Sequence, residues 1–313
     1  MSWVVRLIVV LPALAALAGL LTRRSVTGAR VLAVGAATVV TGLAVAQWIA
    51  PAGRADIDTL GPLPLRDLGV PLHLLSDDLS GLVTLAVALV VLAIQVFTVW
   101  YQREDPRYTQ FAASISLFAS GMLLVVASAD LVLILVGWEV MGWCSWLLIG
   151  HESERAAARR AAYKAYLVTC TADIAMVVGL IALSARAGTA DLVPVLSQPV
   201  AAPLLTFGLV CVVVGVAGKS GLVPFHDWLP DAMEGPTPAS ALIHAATMVA
   251  AGSYVIARLF PLYAADDVAR TVLGVLAALT MVYAAGLAFA QTDLKRLLAY
   301  STLSQVAIML GAL

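Results

Sequence analysis

The chain has 313 residues, 62% of them hydrophobic and only 12% charged, whereas a typical soluble domain is about half apolar and a quarter charged. Its 18 basic and 19 acidic residues leave a net charge of −1, which excludes the basic footprint of a nucleic-acid-binding protein. Composition alone therefore places the chain among polytopic membrane proteins.

At about 20 apolar residues per crossing, candidate spans fall near 3–22, 31–50, 79–100, 110–128, 130–150, 163–185, 201–222, 238–260, 269–290 and 297–313. That is an all-α fold of about ten transmembrane helices. The first span is long and is followed by Arg23 and Arg24, so it reads as a retained helix and not as a cleaved signal peptide. The last span ends at Gly311, Ala312 and Leu313 with no polar cap or basic anchor, so the sequence is expected to be a piece of a longer protein.

Basic residues set the expected orientation. The loops after spans one, three, five and nine hold Arg23, Arg24, Arg30, Arg103, Arg107, Arg155, Arg159, Arg160, Lys164, Lys295 and Arg296. The opposite side holds Arg54, Arg66, Arg186, Arg258 and Arg270. Positive charge favours the cytoplasmic side, so the amino terminus is expected to face away from the cytoplasm. The loop 51–78 carries Pro51, Gly53, Gly61, Pro62, Pro64 and Pro71, which suits a compact extramembrane segment of turns with a short hairpin.

Gly215, Gly218, Gly221 and Pro224 crowd the seventh span and predict that its helix breaks near 215–224, with Lys219 in the break. Such a break is tolerated at membrane depth only where protein or a hydrated cavity surrounds it. After it, FHDWLPDAM resumes as a short half-helix, and Pro236 and Pro238 turn the chain into span eight. The GKS triplet at 218–220 lacks the earlier glycine of a phosphate-binding loop, because Val213 stands there, and no nucleotide site follows.

Among the ionisable residues inside spans, Glu139, Asp173, Lys219 and His244 carry the argument. Such groups are costly in hydrocarbon and mark functional sites by default. Burial disfavours any charged form and an opposite charge restores it, so a Glu139–Lys219 pair is poised to exchange protons. The plainer reading of each residue is structural: a neutral or helix-pinning Glu139, a Lys219 that neutralises an acidic neighbour, a satisfied core histidine at 244. Asp173 either sets the charge state of the pair or makes a helix-packing hydrogen bond. Lys164, at the end of span six, is a relay member or a snorkelling anchor. Lys295, in a basic loop with Asp293 and Arg296, is a topology signal or a later relay member. His226 and Asp227 suit capping or solvent contact at the helix restart. Cys144, Cys170 and Cys211 lie far apart without CxxC spacing and read as packing residues; no metal or cofactor site is expected.

The segments GWEVMGWCSWLLIGH, KAYLVTCTAD, GKSGLVPFHDWLPDAMEGPTPASALIHAATMVAAGSYVIAR and QTDLKRLLAYSTLSQ together resemble the antiporter-like proton-pumping subunits of respiratory complex I, of the L (mitochondrial subunit 5) type. The four motifs fall in order across about half the chain.

The resemblance implies amino-terminal helices over 1–108, a first five-helix antiporter-like repeat over 109–260, and the start of a second repeat over 261–313. It implies a proton-translocating membrane-arm subunit of NADH:quinone oxidoreductase. Glu139 matches the carboxylate paired with the broken-helix lysine, Lys219 that lysine, His244 the connecting histidine, and Asp173 the acidic residue on the next helix. FMN, iron–sulfur clusters and quinone are expected in partner subunits of the membrane and peripheral arms, and the location in the inner (cytoplasmic) membrane. Cys170 stands where the family commonly has arginine. The same superfamily includes multisubunit Na⁺/H⁺ antiporters, membrane-bound hydrogenases and inorganic-carbon uptake complexes, which form the alternative reading, beside a scaffold whose charges only hold helices together.

Overall fold

The structure, a computed structural model, describes residues 2–21, 25–49, 56–59, 72–198 and 202–313. Arg23, Arg24, Arg54, Arg66 and the prolines and glycines expected in the loop between spans two and three lie outside them. The helices are α1 (Ser2–Leu21), α2 (Val26–Ile49), α3 (Asp78–Tyr101), α4 (Tyr108–Ala127), α5 (Leu131–Ile149), α6 (Ala156–Ala187) and α7 (Leu192–Leu196). They continue with α8 (Pro203–Ser220), α9 (Trp228–Asp231), α10 (Thr237–Ala241), α11 (Met248–Arg258), α12 (Phe260–Ala264), α13 (Asp267–Phe289) and α14 (Leu294–Gly311).

Among the described residues, nine helical stretches are long and apolar enough to cross a membrane: α1 to α6, α8, the run Thr237–Arg258, and α13. They match the first nine spans expected from hydropathy, and the molecule is a multi-pass membrane protein. The sixth helix starts earlier than expected, at Ala156, because the basic, alanine-rich run before Tyr163 has strong helix propensity. The tenth expected span is α14, whose first turns carry Lys295 and Arg296. Between α2 and α3, β1 (Asp56–Thr59) pairs antiparallel with β2 (His73–Ser76), Asp56 opposite Ser76, which is the hairpin expected in that loop.

The two ends of the bundle differ in charge chemistry. At one end Arg107 holds Glu154 at 2.8 and 3.0 Å, Arg155 holds Glu234 at 2.6 Å and Lys164 holds Asp231 at 2.8 Å. At the other, the Asp77 carboxylate caps the first turn of α3 and takes both terminal nitrogens of Arg258. Arg258 Nε donates to the Tyr254 hydroxyl, which in turn donates to the Val126 carbonyl. This chain of contacts clamps the end of α11 to the start of α3 and the end of α4.

The helix break falls later than the glycines suggest. Helix α8 runs without interruption through Gly215 and Gly218 to Ser220 and ends at Gly221, whose φ of +69° a side chain would resist. Lys219 therefore sits in the last turn of an intact helix, not in unwound backbone. The irregular stretch is 221–227; it is pinned by Val223 N–H donating to Thr280 Oγ1 at 2.9 Å, and the Trp228 indole donates to the Gly218 carbonyl at 2.9 Å. Helix α9 and a single 3₁₀ turn, Ala232–Glu234, form the short half-helix.

Gly215 and Gly218 serve close packing instead. Helix α8 lies along α6 more extensively than any other pair of elements touches. A Cβ on Gly218 would meet the Ala172 Cβ at 2.2 Å, and one on Gly215 the Met176 Cβ at 2.5 Å. Small residues that let backbones approach are the usual means of helix association in membranes. Gly218→Val is expected to force α8 off α6 and destabilise the protein by about 1–3 kcal/mol. A fall in thermal midpoint in detergent checks this; an unchanged midpoint contradicts the packing role.

Candidate functional site

Helices α5, α6 and α8 place the four ionisable residues differently from a simple Glu–Lys pair. Lys219 is fully buried and its ammonium donates to Asp173 Oδ2 at 2.9 Å. Asp173 is buried too, and its other oxygen accepts the Trp138 indole N–H at 2.6 Å. The same ammonium lies 5.2 Å from the Trp138 ring centroid, a cation–π distance. Asp173 is the ion-pair partner of Lys219 among the described residues, and Glu139 is not within ion-pair distance of it.

Helical geometry explains the difference. On α5, Trp138, Gly142 and Ser145 share one buried face, whereas Glu139 and Trp143 lie about 100° round the axis and are exposed. A Cβ on Gly142 would stand 2.7 Å from Lys219 Nζ, so the missing side chain leaves the space that the ammonium fills. Glu139 nonetheless belongs to the cluster: its carboxylate, the Cys170 sulfur and the Asp173 carboxylate all lie within 4.8 Å of one another. Two carboxylates that close resist joint ionisation, and a single ammonium neutralises only one of them. The arrangement can therefore hold one movable proton among three groups.

His244 lies at a second irregularity that hydropathy does not show. The eighth span is interrupted by a π turn, Leu242–Ala246, and the Thr247 hydroxyl donates to the Leu242 carbonyl. Such widened turns recur at functional sites. His244 is buried, and neither ring nitrogen has a hydrogen-bond partner among the described residues. Its ring lies 6.1 Å from that of Trp228, the residue bonded to the carbonyl next to Lys219. Trp228 thus stands between the backbone of the last turn of α8 and the His244 ring.

Lys164 stands apart from this core, and Lys295 flanks it near enough for its charge to act on His244. Lys164 joins Asp231 and Asp227 at 2.8 and 3.0 Å and ties α6 to the half-helix. Lys295 donates to the carbonyls of Met233 and Gly235 at 2.7 and 2.9 Å, supporting the turn that precedes α10. The Asp227 carboxylate meets Lys164, and the His226 ring meets Tyr283 edge-on at 4.9 Å. Trp138 and Gly142 are site residues that hydropathy and charge do not single out. Their i, i+4 spacing, one face away from Glu139, is the signal that could have found them.

A family model described as NADH:quinone oxidoreductase/Mrp antiporter, transmembrane, matches residues 128–313. The chain belongs to this family. A second model, described as NADH-ubiquinone oxidoreductase (complex I), chain 5 N-terminus, matches residues 63–112. NAD(P)H-quinone oxidoreductase chain 5 of Synechocystis sp. is 41% identical over 76% of this chain and 36% of its own length. NADH-quinone oxidoreductase subunit L of Pseudomonas aeruginosa is 41% identical over 79% of this chain and 41% of its own. The chain thus spans well under half the length of these relatives.

Among solved structures, the Mrp complex from Dietzia sp. DQ12-45-1b superposes with a TM-score of 0.88 at 30% identity, over 98% of this chain and 34% of that chain. The membrane-bound sulfane sulfur reductase, an archaeal respiratory membrane complex, gives 0.89 over 99% of this chain and 64% of that chain. Its 22% identity makes it a likeness of fold.

Removing one partner of a buried pair leaves the other charge uncompensated, at about 3–5 kcal/mol. Lys219→Met is expected to destabilise the protein by that order, and Lys219→Met combined with Asp173→Asn by clearly less. Thermal denaturation of the three proteins checks this; a double variant as unstable as the sum of its single changes contradicts direct pairing.

Proposed function

We propose that this chain carries a proton half-channel of a proton-pumping NADH:quinone oxidoreductase. The observation that carries the reading is the buried Lys219–Asp173 pair with a second carboxylate, Glu139, within reach of Asp173. Such an arrangement has two protonation states close in energy and a gate between them. When Lys219 leans on Asp173, Glu139 takes a proton from the exposed face of α5. When an outside charge weakens that pair, the lysine passes its proton towards His244.

No redox chemistry belongs to these residues. Electron transfer through FMN and iron–sulfur clusters, and quinone reduction, are assigned to partner subunits, with the neighbouring membrane-arm subunit covering the exposed Glu139. Residues 109–260 form the first antiporter-like repeat and 261–313 open the second. The reading places the protein in the inner (cytoplasmic) membrane with its amino terminus on the non-cytoplasmic side, as the basic end of the bundle favours.

In the assembled complex, Lys219→Ala and Glu139→Gln are each expected to lower protons pumped per electron at least tenfold, with NADH oxidation by artificial acceptors retained. Proton uptake in inverted vesicles measures this. An unchanged ratio of protons to electrons sinks the relay.

A further inference from the structure

A cavity of about 310 Å³ lies between α1, α4 and α5, away from the Lys219 site. Its lining changes character along its length. At the basic end of the bundle stand Arg107, Gln110, His151 and Ser153, and deeper in the membrane Leu117, Leu147 and Trp143. The ten residue steps from Arg107 to Leu117 cover about 15 Å of helix, half of a hydrocarbon core of about 30 Å. The groove is therefore one leaflet deep, polar at the membrane boundary and apolar below it.

We propose that this groove binds a single glycerophospholipid, with its phosphate on Arg107 and an acyl chain against Leu117, Leu147 and Trp143. A whole helix, about 10 Å across, does not fit inside this volume over the same length, whereas a single acyl chain does. The charge state of the mouth points the same way. His151 is committed to Asp105 at 2.5 Å and stacks near Phe111, but Arg107 is held by Glu154, whose side chain is 72% exposed. Glu154 meets Arg107 with two parallel hydrogen bonds from a solvent-exposed side chain, and a phosphate offers the guanidinium the same two-point contact. Arg107 can thus exchange Glu154 for a headgroup.

By contrast, the cavity between α5 and α6 is lined by Leu131, Leu135, Val177 and Ile181, with Ser184 and Thr189 and no cation among its described lining residues. Trp143, half-exposed in the groove, follows Glu139 by one turn, so the bound chain packs beside the face on which Glu139 lies.

The test uses the full-length protein in its native complex, in nanodiscs of phosphatidylethanolamine and phosphatidylglycerol at a 3:1 ratio doped with a phospholipid bearing a terminal acyl diazirine. Peptide mapping after photolysis is expected to place label on Leu117, Trp143 and Leu147. Arg107→Gln and the groove-filling Leu117→Trp should each reduce that label at least fivefold, and Glu154→Gln should leave it unchanged or raised. Label indifferent to Arg107→Gln and Leu117→Trp, or equally strong on exposed Val31 and Val39 of α2, overturns the proposal. So does an equal loss in Glu154→Gln, which would mark the ion pair as a fold element, and so does displacement of the lipid label by a quinone.

Discussion

An ammonium with no exposure to solvent must be matched by an anion, and that requirement organises the centre of this protein. Lys219 is matched by Asp173, which a tryptophan indole holds from the other side. Everything around the pair serves its geometry. Gly142 leaves room for the ammonium, Gly215 and Gly218 let α8 approach α6 closely enough for the bond to form, and Gly221 ends the helix directly beyond the lysine.

In the proposed relay, the second carboxylate gives the pair a function beyond stability. A buried ion pair is a weak stabiliser, because desolvation cancels most of its attraction, so its retention calls for another reason. Glu139 supplies one: it lies beside Asp173 yet faces out of the bundle, open to influence from a neighbour. The inner carboxylate holds the lysine, and in the proposed relay the outer one communicates. His244, buried without a hydrogen-bond partner among the described residues in a widened helical turn, is placed to receive what the lysine releases.

The spans, the basic end of the bundle, the hairpin and the four ionisable residues Glu139, Asp173, Lys219 and His244 were legible in the sequence, because hydropathy and charge are local properties. Pairing was not, because it depends on the rotation of α5 about its axis: Trp138 and Glu139 are adjacent in sequence, yet only the first turns towards Lys219. The glycines misled for a related reason. Gly215 and Gly218 carry the same composition signal whether they unwind a helix or admit a neighbour, and only the position of Ala172 and Met176 on α6 decides between the two. The π turn at His244 left no mark, since its residues are ordinary helix formers.

The central claim is that the movable proton resides on Glu139 while Asp173 stays ionised against Lys219. Infrared difference spectroscopy of the complex, with and without turnover, tests it most directly by following the carbonyl band of protonated carboxyl groups. The account predicts a band that changes with turnover, disappears in Glu139→Gln and persists in Asp173→Asn. A band that survives Glu139→Gln and vanishes in Asp173→Asn would place the proton on the inner carboxylate and contradict it.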